Sequence, residues 1–112
     1  MITTDSLRAF GANVDEGLKR CMGMEAFYLQ MVGRAVNDMK IDELKAAVAE
    51  GDTGKAFELA HAMKGVWGNL SITPLYEPTS RLTELLRNKT PGDYAAIVDE
   101  IAAAYERLRA ML

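Results

Sequence analysis

A chain of 112 residues with 49% apolar and 26% charged side chains supports one hydrophobic core, so a single domain over residues 1–112 is expected and disorder is excluded. Its net charge of −3 leaves no basic face for a nucleic-acid backbone. One cysteine, Cys21, precludes an internal disulfide and one histidine, His61, precludes a His/Cys zinc cluster, so neither metal nor cofactor is expected.

The opening Met1-Ile2-Thr3-Thr4-Asp5 has no basic or apolar signal region, which predicts a cytoplasmic protein. Leu7 and Phe10 mark a short apolar element that stops at Gly11. Asn13 stands three residues before Glu16 in a capping-box arrangement, predicting a helix through Cys21 that Gly23 ends. Tyr28, Met31, Val32, Ala35 and Met39 then fall on one helical face, and Ile41, Leu44 and Val48 continue the pattern to a left-handed cap at Gly51. Asp52 caps a helix through Ala56, Ala60, Met63 and Trp67 to about Leu70. Thr73-Pro74 offers a cap and a first-turn proline for the next helix, with Leu75, Thr79, Leu82 and Leu86 in line. Pro78 removes a backbone donor from its second turn and predicts a local irregularity. In Thr90-Pro91-Gly92-Asp93, Pro91 is read as the first helical residue, followed by a stripe from Tyr94 through Ile97, Ile101, Tyr105 and Leu108 to Leu112.

No segment alternates like a half-buried strand. The longest apolar runs, Tyr94 to Val98 and Ile101 to Tyr105, are five residues each, against roughly 20 for a membrane span. The expected fold is therefore all-α: an antiparallel four-helix bundle over residues 24–112, with short helices over residues 4–22 covering one end.

One helix carries an anomaly. Gly65 and Gly68 lie inside it and together cost about 2 kcal/mol against alanine, a sizeable part of a total stability of roughly 5–15 kcal/mol. At roughly 100° per residue with Ala60 at zero, the core direction lies near −40° and His61 near +100°. Gly68 falls near roughly +80° and Gly65 near +140°, both on the histidine's side. Lys64 and Phe57, near roughly +40° and +60°, occupy the shoulder between core and solvent. A lone exposed histidine is most often unremarkable surface, and glycines within a helix often let another helix approach. Phe57 also suits the rim of a bundle, and the methionines suit either the core or an adaptable docking surface. The combination points further. An outward, mostly neutral imidazole is a nucleophile, and glycines four and seven residues on leave one flank bare for a second protein. Phosphoryl transfer needs such an in-line approach. Lys64, one turn away, offsets part of the charge on a phosphorylated ring.

The stretch Ala60-His61-Ala62-Met63-Lys64-Gly65-Val66-Trp67-Gly68-Asn69-Leu70 resembles the signature of histidine-containing phosphotransfer (HPt) domains: His-x-hydrophobic-Lys-Gly, then small residues and often Asn-Leu-Gly. Gly51-Asp52 matches the pair that precedes the family's histidine helix, and the resemblance runs from Phe27-Tyr28-Leu29 to the Leu82–Leu86 region. Met63 replaces a common leucine, and Ser71 stands where many members have glycine. The resemblance implies that His61 accepts phosphate, Lys64 supports it electrostatically, and Gly65 and Gly68, with Phe57 beside them, form the surface a partner approaches. It implies a phosphocarrier in a multistep two-component relay and not an enzyme. Its expected partners are receiver domains of response regulators or a hybrid histidine kinase, and the receiver contributes magnesium. A monomer is expected, bound to neither nucleic acid nor membrane. The alternatives are a receiver-docking adaptor or structural helical-bundle module of the same fold that does not transfer phosphate, and, weakest, a hydrolase using His61 as general base, for which no partner constellation appears.

Overall fold

The computed structural model describes residues 1–112 as seven α-helices without a strand: α1 Thr4–Phe10, α2 Val14–Arg20, α3 Glu25–Asp38, α4 Ile41–Ala49, α5 Thr53–Asn69, α6 Thr73–Arg87 and α7 Tyr94–Arg109. They pack into an elongated bundle of about 40 × 24 × 20 Å. α5, α6 and α7 supply three walls, each packed on the next. The fourth comes from two consecutive helices: α4 lies against α5 and α7, and α3 lies against α7 and α2. α1 and α2 close one end, tied together by the Arg8–Asp15 ion pair at 2.8 Å.

The core holds most of the residues that helical periodicity points inward, but Leu112, the expected end of the last stripe, lies beyond α7 and is exposed. Leu7, Val32, Leu44, Ala56, Ala60, Trp67, Leu75, Leu82, Ile101 and Leu108 are fully buried. Between walls, Arg81 pairs with Glu100 at 2.7 Å, and the Tyr105 hydroxyl donates to the Val36 carbonyl at 2.6 Å, fastening α3 to α7. No helix is long and apolar enough to cross a membrane.

Several helix boundaries differ from the sequence expectations. α2 ends one residue early, and Met22, not Gly23, is the first residue of its exit to take a left-handed conformation (φ 58°). Thr73 is not the cap of α6; that position belongs to Ile72, which has no capping side chain, because Ile72 already closes α5 by donating to the Trp67 carbonyl at 2.9 Å. Pro78, where a local irregularity is expected, lies inside α6 and leaves it continuous through Arg87. Pro91 lies outside α7: Thr90 donates to the Leu85 carbonyl and completes the exit of α6, and the Asp93 carboxylate accepts from the Ala96 N–H and sets the helix start at Tyr94. α6 is thus closed at the left-handed Lys89 (φ 51°), and Pro91 lies in the turn between the two helices instead of starting α7.

The exit of α5 explains the unusual Ser71. The Ser71 N–H bonds the Gly68 carbonyl and the Ile72 N–H bonds the Trp67 carbonyl, a Schellman closure whose first residue past the helix must be left-handed. Ser71 accordingly has φ 56° and a buried hydroxyl without a hydrogen-bond partner. Its carbonyl accepts from the Asn13 N–H at 2.9 Å, which anchors the start of α2 to this turn. The left-handed strain costs about 1–2 kcal/mol and the unpartnered hydroxyl adds to it, whereas glycine would take back part through backbone entropy. Ser71→Gly should raise stability by about 1 kcal/mol, read as a rise of a few degrees in thermal midpoint.

Tyr28 fastens the same turn from the other side. It is fully buried on α3, and its hydroxyl donates to the Leu70 carbonyl at 2.8 Å. α2 rests on its ring so closely that a Cβ on Gly17 would sit 2.5 Å from it. Burial, with a smaller contribution from Cys21, pushes its hydroxyl up to about 12 from the ordinary 10. The folded state thus disfavours the phenolate, so this stabilisation is present below pH 10 and lost as pH rises from 10 towards 12. Tyr28→Phe should cost about 1 kcal/mol at neutral pH through the lost hydrogen bond. In urea titrations at pH 8 and pH 11, the variant should also lose less stability between the two conditions than the parent does.

Candidate functional site

α5 is held from below and bare above. Ala56, Ala60, Met63, Trp67 and Leu70 are buried, and His61 is exposed on the far side. The Asp52 carboxylate caps the helix by accepting from the Lys55 N–H. Trp67, fully buried, belongs to the core.

The two flanks of the imidazole differ. Helical side chains lean towards the N-terminus, so the residue four positions before His61 meets its ring and the residue four positions after would cover it. Before it stands Phe57, half-buried, its ring stacked on the imidazole at 5.5 Å between centroids and 14° between planes. After it stands Gly65, where an added Cβ would meet nothing within 4 Å. One flank is an aromatic wall, and the other is open.

The open flank leads into a cleft of about 520 Å³. His61, Lys64, Gly65 and Gly68 line it together. The structure also brings in residues that periodicity along α5 cannot reveal: Glu16 and Arg20 from α2, Ser71 from the turn, and Thr73 and Tyr76 from α6. Gly68 differs from Gly65 in its surroundings. A Cβ there would lie 3.1 Å from the Tyr76 ring, so Gly68 permits the close approach of α6 while still lining the cleft. The pair of glycines thus combines the two readings that helix geometry leaves open, one at each position.

Charge at the site is shared in pairs. Lys64, expected beside the acceptor, places its Nζ 3.6 Å from Glu84 Oε1 on α6. The same oxygen lies 3.5 Å from Arg87 Nε. The Arg87 guanidinium stands over the Phe57 ring at 5.3 Å, on the residue that stacks on His61. Arg20 pairs with Glu16 at 3.1 Å. Glu84 and Arg87 give no signal in the sequence, since nothing in the pattern of α6 relates residue 84 or 87 to residue 61 before the helices are docked. No group of three or more His, Cys, Asp or Glu side chains gathers in a way that could hold a metal ion.

A second cavity, about 650 Å³, opens between α3 and α5. Met31, Met39, Leu59, Met63 and Val66 line it, and His61 does not. Three methionines thus pad a groove between helices, whereas Met22 and Met24 are exposed at the turn before α3.

The contrast between the two glycines predicts different responses to alanine. Gly65→Ala should stabilise the protein by up to about 1 kcal/mol, because helix propensity improves and nothing is displaced. Gly68→Ala should gain less, or lose, because the Tyr76 ring must yield. Denaturant melts of the two variants compare them directly.

With this geometry established, comparison with protein-family models gives a match to the model described as "Hpt domain" over residues 29–111. Comparisons with curated proteins and with solved structures gave no match.

Proposed function

The chain belongs to the Hpt domain family, whose members are phosphocarriers in two-component phosphorelays, and we propose that this protein carries the phosphoryl group on His61. The observation that supports this assignment most directly is the asymmetric setting of the only histidine: exposed, backed by Phe57 and open over Gly65. An exposed imidazole nitrogen presents a lone pair to an incoming phosphorus, and the missing side chain at position 65 lets a partner's active site close on it.

The step is a reversible exchange with the aspartyl phosphate of a receiver domain. The imidazole lone pair attacks phosphorus, an N–P bond forms, and the acyl O–P bond breaks with its electron pair returning to the aspartate. Magnesium would be held by the receiver, not by this chain, and would there neutralise charge on the phosphoryl oxygens. This chain contributes the nucleophile, a stacked wall that limits rotation of the ring, and cations from α2 and α5, Arg20 and Lys64, in the cleft. Lys64 supports the phosphorylated ring as a nearby charge, and Gly65, with Gly68 and Phe57 at the edges, makes up the approach surface.

His61→Gln should abolish labelling by a phosphorylated receiver and leave the melting temperature nearly unchanged, since the ring is exposed. Gly65→Gln should cut the transfer rate sharply without unfolding the domain, because its side chain leans over His61. The label should be lost in acid and retained in alkali, as a phosphoramidate is. Stable receiver binding without transfer would instead indicate a docking adaptor, and a large loss of stability in His61→Gln would make the histidine structural.

A further inference from the structure

Arg20 and Lys64 line the cleft beside His61, and Arg87 stands over Phe57, the ring that stacks on His61; each of the three is already held by a carboxylate. Arg20 is held by Glu16, whereas Lys64 and Arg87 converge on one oxygen of Glu84, at 3.6 and 3.5 Å. Glu84 is the only acid in an ion pair with two of them, and it reaches the site from α6, a helix that carries no acceptor of its own.

A phosphoryl group on His61 would bring more negative charge than a carboxylate and three acceptor oxygens. Lys64 sits one turn from the ring on a long flexible stem, and its side chain is 26% exposed, so its ammonium can swing from Glu84 to such a group. Arg87 is fixed more firmly, with its guanidinium over Phe57. Both pairs with Glu84 are partly exposed and therefore weak, so exchange of partner is energetically easy. The carboxylate nevertheless opposes it, because each cation that turns to the phosphoryl group leaves Glu84 uncompensated.

From this we propose that Glu84 sets how tightly His61 holds its phosphoryl group, by competing with that group for Lys64 and Arg87. Glu84 is a positioning residue here: it acts through the two cations and does not touch the reacting atoms. The proposal rests on the carrier reading for its biological meaning, but its chemistry is open to test without any receiver. A carboxylate that weakens the phosphorylated state keeps the group transferable, whereas a site with free cations would retain it.

The test is the equilibrium between the protein and N-phosphorylimidazole. The His61 lone pair attacks phosphorus, a new N–P bond forms, and the old N–P bond breaks with its electron pair going to the departing imidazole, which takes up the proton that the protein's ring releases. Phosphorus NMR of the equilibrated mixture reads the ratio of the two phosphorylated species. Glu84→Gln, which keeps the size and removes the charge, should shift that ratio towards the protein by about two- to fivefold, the range open to exposed pairs. Its thermal midpoint should remain that of the parent. In a Lys64→Ala, Arg87→Ala background the same substitution should have less than half that effect. An unchanged ratio, or a shift that persists in full without the two cations, would overturn the proposal, as would the absence of any phosphorylation of His61. A positive shift together with no exchange with phosphorylated receivers would leave Glu84's effect standing and remove the carrier reading instead.

Discussion

The fully buried Tyr28 is the point on which the arrangement of the site depends. Its hydroxyl secures the last carbonyl of the histidine helix, and its ring is the floor on which α2 lies at Gly17. The hydrogen bond fixes where α5 ends, and the ring fixes how near α2 comes. Together with the Asn13–Ser71 backbone bond, they bring Arg20 and Glu16 to the rim of a cleft whose other walls come from α5 and α6. The N-terminal helices thus cover the end of the bundle and also complete the surroundings of His61.

The same turn shows how conflicting demands are settled within a few residues. α5 must stop sharply so that α6 can fold back against it, and α6 must come close enough for Tyr76 to lie on Gly68. The sharp stop requires a left-handed residue, and Ser71 takes that conformation at an energetic penalty that a glycine would avoid. Strain of this kind persists where surrounding structure over-determines the backbone, and here three backbone hydrogen bonds and the Tyr28 hydroxyl do so.

Much of this was legible in the residues. Apolar spacing placed the helices and their buried faces, since burial of a stripe is a property of each helix alone. The outward direction of His61 followed from the same arithmetic. What failed to show were properties of pairs of helices. Thr73 and Pro91 looked like helix starts because their local chemistry permits it, yet the residues just before them, Ile72 and Thr90, close the preceding helices, so α6 is capped at Ile72 and α7 starts only after Asp93. Gly65 and Gly68 looked equivalent from within α5, and only the docking of α6 separates an open position from one that carries a ring. Glu84 and Arg87 were invisible for the same reason: their relation to His61 exists only across an interface.

The contrast between Phe57 and Gly65 has a consequence for traffic through a relay. If His61 carries the phosphoryl group as proposed, the aromatic ring on one flank would make every partner enter along the same side, whether it delivers phosphate or removes it. Two receivers would then exclude each other, and the protein would work as a shuttle in ping-pong fashion, releasing the donor before it meets the acceptor. Throughput of such a shuttle is governed by how quickly each partner lets go. A tighter interface with either one would therefore slow the pathway instead of strengthening it.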